Sequence, residues 1–130
     1  MKIAVDGWCK GNPGKGGYKA INIDTKEIIF ERDTNLTTNN IAEFIGLVHT
    51  MMWVKNKGVD ATIYCDSVTA LAWVRNKKIK TSLNLDKNPK IKDAIDIAIN
   101  FLSDNDFNDF KILKWNTKEW GENPADFGHK

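Results

Sequence analysis

The 130-residue chain is poor in the features that mark membrane, secreted or fibrous proteins. Its longest stretch without Asp, Glu, Lys or Arg runs from Phe44 to Val54, eleven residues, about half of what a helix needs to cross a bilayer. No basic-then-apolar leader opens it: Met1-Lys2 runs into a strand-like segment that meets Asp6, so a cytoplasmic location is expected. There are only two cysteines, Cys9 and Cys65, in neither a CxxC nor a zinc pattern, and two reduced, buried thiols are the expectation. No repeat, low-complexity tract or Pro/Gly/Ser linker divides the chain. One domain over residues 1–130 follows, long enough to bury about two thirds of its unfolded surface without disulfide or structural metal. With 42% hydrophobic and 28% charged residues, the composition excludes a disordered or collagen-like chain.

Net charge is 19 minus 17, or +2, and its distribution says more than its size. Seven bases (Arg75, Lys77, Lys78, Lys80, Lys87, Lys90, Lys92) and one acid, Asp86, lie between Arg75 and Lys92. Five acids and no base lie between Asp93 and Asp109. That asymmetry suits a local patch facing a polyanion, or a plain solvated surface.

Alternation makes Lys2–Trp8 a strand, with Asp6 inside it. Gly11 to Gly17 reads as a turn-rich loop, and Tyr18–Ile23 and Glu27–Arg32 as two further strands of an antiparallel meander. Thr37-Thr38-Asn39-Asn40 opens a helix whose apolar stripe (Ile41, Phe44, Ile45, Val48, Met52) persists to about Lys57, where Gly58 stops it. Ala61–Cys65 reads as a strand, Ser67–Arg75 and Pro89–Leu102 as helices, and Phe110–Trp115 as a last strand. Asn123-Pro124 carries the signature of a final short helix. The order βββαβααβα implies a mixed sheet with helices packed on it.

Four acids stand out. Asp6 occupies a strand interior, where Asp is a poor fit. Glu43 has an alternative use in a capping box with Asn40, Asp66 as a helix N-cap, and Asp126 as an acid in a first helical turn. If the first and fourth strands are neighbours, Asp6 and Asp66 come side by side. Converging carboxylates repel one another unless cations balance them, and oxygen-only ligation suits Mg²⁺ or Mn²⁺. Two such ions can activate a water and stabilise a leaving oxygen in phosphodiester cleavage.

Asp6-Gly7-x-Cys9-x-Gly11-Asn12-Pro13-Gly14-x-Gly16-Gly17, Thr37-Thr38-Asn39-Asn40-x-Ala42-Glu43, Tyr64-Cys65-Asp66-Ser67 and Asn123-Pro124-Ala125-Asp126 follow one another in this order. Together they resemble the motifs of type 1 ribonuclease H over nearly the whole chain. The resemblance implies an α/β ribonuclease H-like fold: a five-stranded mixed sheet in the order 3-2-1-4-5 with helices on both faces. It implies an endonuclease that cuts the RNA strand of RNA/DNA hybrids and leaves 5′-phosphate and 3′-hydroxyl ends. Asp6, Glu43, Asp66 and Asp126 would be both catalytic and metal-binding, holding two Mg²⁺ (or Mn²⁺) bridged by Asp6. Cys9, Asn12 and Asn39 would lie by the substrate's 2′-hydroxyls, the groups that tell RNA from DNA, with Gly7 and Gly11 letting backbone approach. Thr38 would lie near a DNA phosphate. Lys77, Lys78 and Lys80, from the basic run and not from these motifs, are expected to complete the substrate-binding set. The RNA/DNA hybrid is the expected partner, with no membrane, no obligate protein partner and no separate hybrid-binding domain.

Two departures from the family accompany these matches. The loop before the last carboxylate, where many bacterial members carry a His, has Asn116 near that place. Asn116 is therefore an auxiliary candidate, with His129, Glu119 and Glu122 as others; His49, on the apolar helix, reads as a core or surface residue. The stretch from Arg75 to Pro89 is too short for the basic handle helix of some relatives. Trp8 could share the face of Asp6, and Trp73 could stack on substrate or pack in the core. Competing functions are a DNA nuclease of the same fold and a non-enzymatic nucleic-acid-binding module.

Overall fold

The computed structural model describes residues 1–125. Five strands form one sheet in the order β3-β2-β1-β4-β5: β1 (Lys2–Cys9), β2 (Gly14–Asn22), β3 (Ile28–Thr37), β4 (Thr62–Cys65) and β5 (Lys111–Lys114). β1, β2 and β3 pair antiparallel, whereas β4 runs parallel to both β1 and β5. The helices are α1 (Asn39–Lys57), α2 (Val68–Asn76), α3 (Pro89–Asp104) and α4 (Thr117–Trp120). The expected strand order and meander are both present. No described helix is long and apolar enough to cross a membrane.

The central position of β1 explains its burial from Ile3 to Cys9 on both faces. Ile3 and Val5 join Tyr18, Ala20, Ile63 and Cys65 in the core beneath the three longer helices. Ala4 points to the other face and packs with Ile21 and Ala125. Asp6 and Trp8, two and four residues on, share that second face. It is covered in part by the C-terminal segment, where Asn123 Nδ2 donates to Val5 O at 3.1 Å and Trp120 of α4 lies edge-on to Tyr64. Both cysteines are free and buried, as expected.

Two sequence boundaries are corrected. Gly14 to Gly17 belongs to β2, with Gly16 and Gly17 paired to Cys9 and Trp8, and is not loop. These glycines look like turn residues but serve close approach: a Cβ on Gly16 would stand 2.3 Å from Trp8 O, and one on Gly17 2.4 Å from Arg32 O. β3 also continues to Thr37 rather than ending near Arg32, because an edge strand tolerates polar residues such as Asp33 and Asn35. The helix expected from Asn123 falls mainly outside the described residues; a short α4 that the sequence did not signal precedes it.

The α1 helix starts at Thr38, whose hydroxyl accepts from Ile41 N at 3.1 Å, and ends where Gly58 takes a left-handed conformation at φ 63°. Eleven of its nineteen residues are buried, so it runs through the centre of the fold. It lies close to the sheet because glycines sit at the contacts: a Cβ on Gly7 of β1 would be 2.6 Å from Glu43 N, and one on Gly46 of α1 itself would be 2.9 Å from Tyr18 Cβ in β2. His49 has a structural place, with Tyr18 Oη 3.1 Å from its Nδ1 and the Phe30 ring stacked at 4.1 Å.

Candidate active site

Asp6, Glu43 and Asp66 reach one point from three elements. The β1–β4 register pairs Val5 with Cys65, so the next step along the two parallel strands sets Asp6 beside Asp66. Ser67 accepts from Ala70 N at 3.0 Å and caps α2, so Asp66 is released from capping. Glu43 is released likewise, since Thr38 caps α1 and no acid lies in its first turn. Gly7 lets the helix backbone approach β1 at Glu43. One ligand atom from each of the three carboxylates lies within 4.8 Å of the others. Asp6 is 1% exposed and Glu43 5%, whereas Asp66 is half-buried. Asp126 and His129 lie outside the described residues.

Three carboxylates this close, two of them buried, need balancing positive charge. Their donor set is all oxygen, the chemistry of a hard divalent cation such as Mg²⁺ or Mn²⁺. Cys65, whose Sγ lies 4.0 Å from Glu43 Oε2, does not add a thiolate. Burial above all, and then the Glu43 carboxylate, push its thiol far above the ordinary range. Asp6 Oδ1 also accepts from Gly7 N at 3.0 Å, which orients the carboxylate along the strand. The antiparallel register places Lys19 directly opposite Asp6, a neighbour that strand alternation marks only as facing away from Tyr18 and Ala20.

The other expected residues divide into groups. Asn39 N–H donates to Asn12 Oδ1 at 2.9 Å, tying the β1–β2 loop to the start of α1. Asn39 Oδ1 is buried and accepts no hydrogen bond among the described residues. A groove of about 370 Å³ is lined by Asn12, Thr38, Asn40, Trp73, Lys80 and Asn84, among others. Trp73 lines this groove and also packs in the core, where its ring meets Phe44 edge-on at 6.0 Å. Gly11, exposed with φ 84°, shapes the adjoining loop. Cys9 is buried with Sγ 3.3 Å from Thr37 O, so its thiol faces main chain. Lys77 pairs with Asp106, and Lys78 is exposed. Trp115 N–H donates to Cys65 O at 2.9 Å, which brings the loop of Asn116 to the end of β4. There the Asn116 side chain caps α4, accepting from Glu119 N at 3.1 Å. Glu119 and Glu122 are exposed. The larger cavity between β3 and the start of α3, about 570 Å³, contains none of these candidates.

Comparison with known proteins agrees with this arrangement. The RNase H family model matches residues 1–117. The ribonuclease H of Neorickettsia sennetsu is 33% identical over 100 residues, 68% of this chain and 66% of that protein. The ribonuclease H of Francisella tularensis subsp. novicida is 44% identical over 67 residues, 48% of this chain and 41% of that one. The aligned regions thus span less than two thirds of either relative. Among solved structures, LC11-RNase H1 in complex with an RNA/DNA hybrid has the same fold, with a TM-score of 0.57 at 17% identity, covering 91% of this chain and 86% of that one.

Proposed function

The chain belongs to the RNase H family, and from that premise we propose that it hydrolyses the RNA strand of RNA/DNA hybrids endonucleolytically, leaving 5′-phosphate and 3′-hydroxyl ends. The observation that carries this reading is the convergence of Asp6, Glu43 and Asp66 from β1, α1 and the end of β4. With Asp126 as a fourth carboxylate, they would hold two Mg²⁺, with Mn²⁺ as a substitute. When bound, such ions supply Lewis acidity, making a water nucleophilic and neutralising charge on the leaving oxygen of a phosphodiester. The chain's own contribution is to present the carboxylates from a strand centre and a buried helix, where packing limits their movement.

Substrate recognition is assigned to the flank built from the β1–β2 loop and the start of α1. Asn39 Oδ1 is an acceptor suited to a 2′-hydroxyl proton, and Asn12 holds the Asn39 backbone in place. Gly11, exposed in the loop, leaves room for close substrate approach, whereas the space beside Gly7 is taken by the α1 backbone at Glu43. Cys9, with its thiol turned to Thr37, would contribute main chain rather than sulfur. Thr38 and Lys80 face one groove and offer a hydroxyl and an ammonium to the DNA strand's phosphates, with Trp73 as an apolar wall. The hybrid bound by LC11-RNase H1 supports this choice of partner. Asn116, already engaged as a helix cap in the loop that follows the Trp115 bond to the end of β4, is assigned a secondary part in releasing product.

The test compares labelled RNA/DNA hybrid, duplex DNA and duplex RNA with Mg²⁺, with Mn²⁺ and with chelator. Cleavage confined to the RNA strand of the hybrid, dependent on metal and abolished in Asp66→Asn, is expected. Cleavage of duplex DNA would make the protein a DNA nuclease of this fold. Hybrid binding without cleavage would make it a binding module.

A further inference from the structure

The carboxylate cluster has a basic neighbour on its own face of the sheet. In the β1–β2 register Asp6 stands directly opposite Lys19, as Ala4 stands opposite Ile21. Ala4, Ile21 and Ala125 pack together on the face away from α1, so Asp6 and Lys19, one alternation further along each strand, point to that face as well. Directly opposed residues on one face hold their Cβ atoms about 4.5–5.5 Å apart, well inside the reach of a lysine stem. Along β2 the flanking positions on this face are Gly17 and Ile21: one has no side chain, and the other is an apolar surface for the stem.

Lys19 is half-buried, which for a lysine calls for a reason. Two other half-buried lysines have theirs elsewhere: Lys77 pairs with Asp106 and Lys92 with Asp96. On its far side Lys19 is in register with Glu31, which is exposed and solvated. Asp6 is 1% exposed, and charge interacts more strongly where water is excluded.

We propose that Lys19 is a built-in counter-cation of the carboxylate cluster, a positioning residue that steadies Asp6 and sets how tightly the site takes up divalent cations. The inference rests on the metal reading given above. Ionised, the three described carboxylates carry a charge of −3, and Lys19 brings the group to −2, the charge that one divalent ion balances. The ammonium therefore makes the metal-free site tolerable in a folded chain, and it competes electrostatically with the arriving cation.

The experiment titrates Mn²⁺ into metal-free protein, following uptake by calorimetry and, in parallel, thermal stability. Lys19→Met keeps the apolar stem and removes the charge. It is expected to lower Tm without metal and to tighten the Mn²⁺ dissociation constant about tenfold, the effect of one unit charge at this range in a partly screened site. Lys19→Gln, with a polar tip, should tighten it similarly should the Met variant fold poorly. Lys19→Arg should restore wild-type affinity within about twofold, and Glu31→Gln should leave it unchanged. Wild-type or weaker affinity in Lys19→Met and Lys19→Gln overturns the inference and leaves the metal reading standing. A wild-type protein that takes up no Mn²⁺ overturns both.

Discussion

Gly7→Ala isolates the contact that delivers Glu43 to the site. The added Cβ would lie 2.6 Å from Glu43 N, 2.8 Å from Ala42 C and 3.0 Å from Ala42 Cβ. Two of these are backbone atoms in the first turns of a folded helix, so no rotamer change relieves them. Restoring ordinary contact, about 3.4 Å, needs a movement of α1 from β1 of about 0.8 Å. Overpacking of this kind costs about 1–3 kcal/mol, and alanine's intrinsic advantage over glycine in a strand, about 0.5–1 kcal/mol, offsets only part of it. At most about 2.5 kcal/mol then remains, and Tm should fall by up to roughly 10 °C. The displaced helix carries Glu43 away from Asp6 and Asp66, and a misplacement near 1 Å lowers reaction rates by about 10²-fold. Single-turnover cleavage of a labelled hybrid at saturating Mg²⁺, well below the new Tm, reads that loss. Gly46→Ala is the control. Its Cβ meets the side chains of Tyr18 and Val5 at 2.9 and 3.2 Å, so it should cost comparable stability and less activity. Wild-type cleavage by folded Gly7→Ala would refute the claim that this contact sets the position of Glu43.

Lys78→Ala combined with Lys80→Ala should weaken hybrid binding and lower the slope of log affinity against log salt by roughly one unit per lost phosphate contact. Lys77→Ala should leave that slope unchanged, because its ammonium pairs with Asp106; binding isotherms at several salt concentrations distinguish the two. Burial first, and then the Arg32 guanidinium, hold the His49 imidazole below its usual range. The folded state therefore binds this proton less readily than the unfolded chain. The contribution to stability is complete above about pH 6.5 and is lost as pH falls through the lowered value. His49→Gln should flatten the acid-side decline of Tm, and an unaltered decline would refute this. Asn116→His should raise steady-state turnover several-fold, and Asn116→Ala should lower it by about tenfold or less, with single-turnover rates moving less in both. Loss of single-turnover cleavage in Asn116→Ala would place Asn116 in the chemical step.

The order of elements along the chain, the apolar central helix and the four conspicuous acids are legible in the sequence for physical reasons, whereas the order of strands in the sheet comes from the family resemblance. Ile41, Phe44, Ile45 and Val48 repeat at helical spacing, and the strands around Asp6 and Asp66 are bounded by turn and cap residues. Asp6 was conspicuous because a carboxylate in a strand interior has few uses. The glycines before Tyr18 misled because a residue without a side chain reads as a turn whether the chain bends there or another backbone passes within 2.3 Å. The far end of the edge strand is not legible because the polar residues that an open sheet edge permits are also those of loops. Glu43 and Asp66 each had a capping use that only the observed caps, Thr38 and Ser67, remove.

What the sequence by itself determined was the inventory: the five strands and three longer helices, and which side chains carry charge, donors and acceptors. Local spacing is enough for that, because helical and strand periodicities act over a few residues. Tertiary structure alone decided which of those groups meet. Lys19 is an ordinary outward lysine in β2 until the register sets it opposite Asp6, thirteen residues back. Lys77 is one of seven bases between Arg75 and Lys92 until α3 and its following loop bring Asp106 to it. Pairing across a sheet and the approach of a helix depend on contacts between residues far apart in the chain, and no local pattern encodes the distance between them.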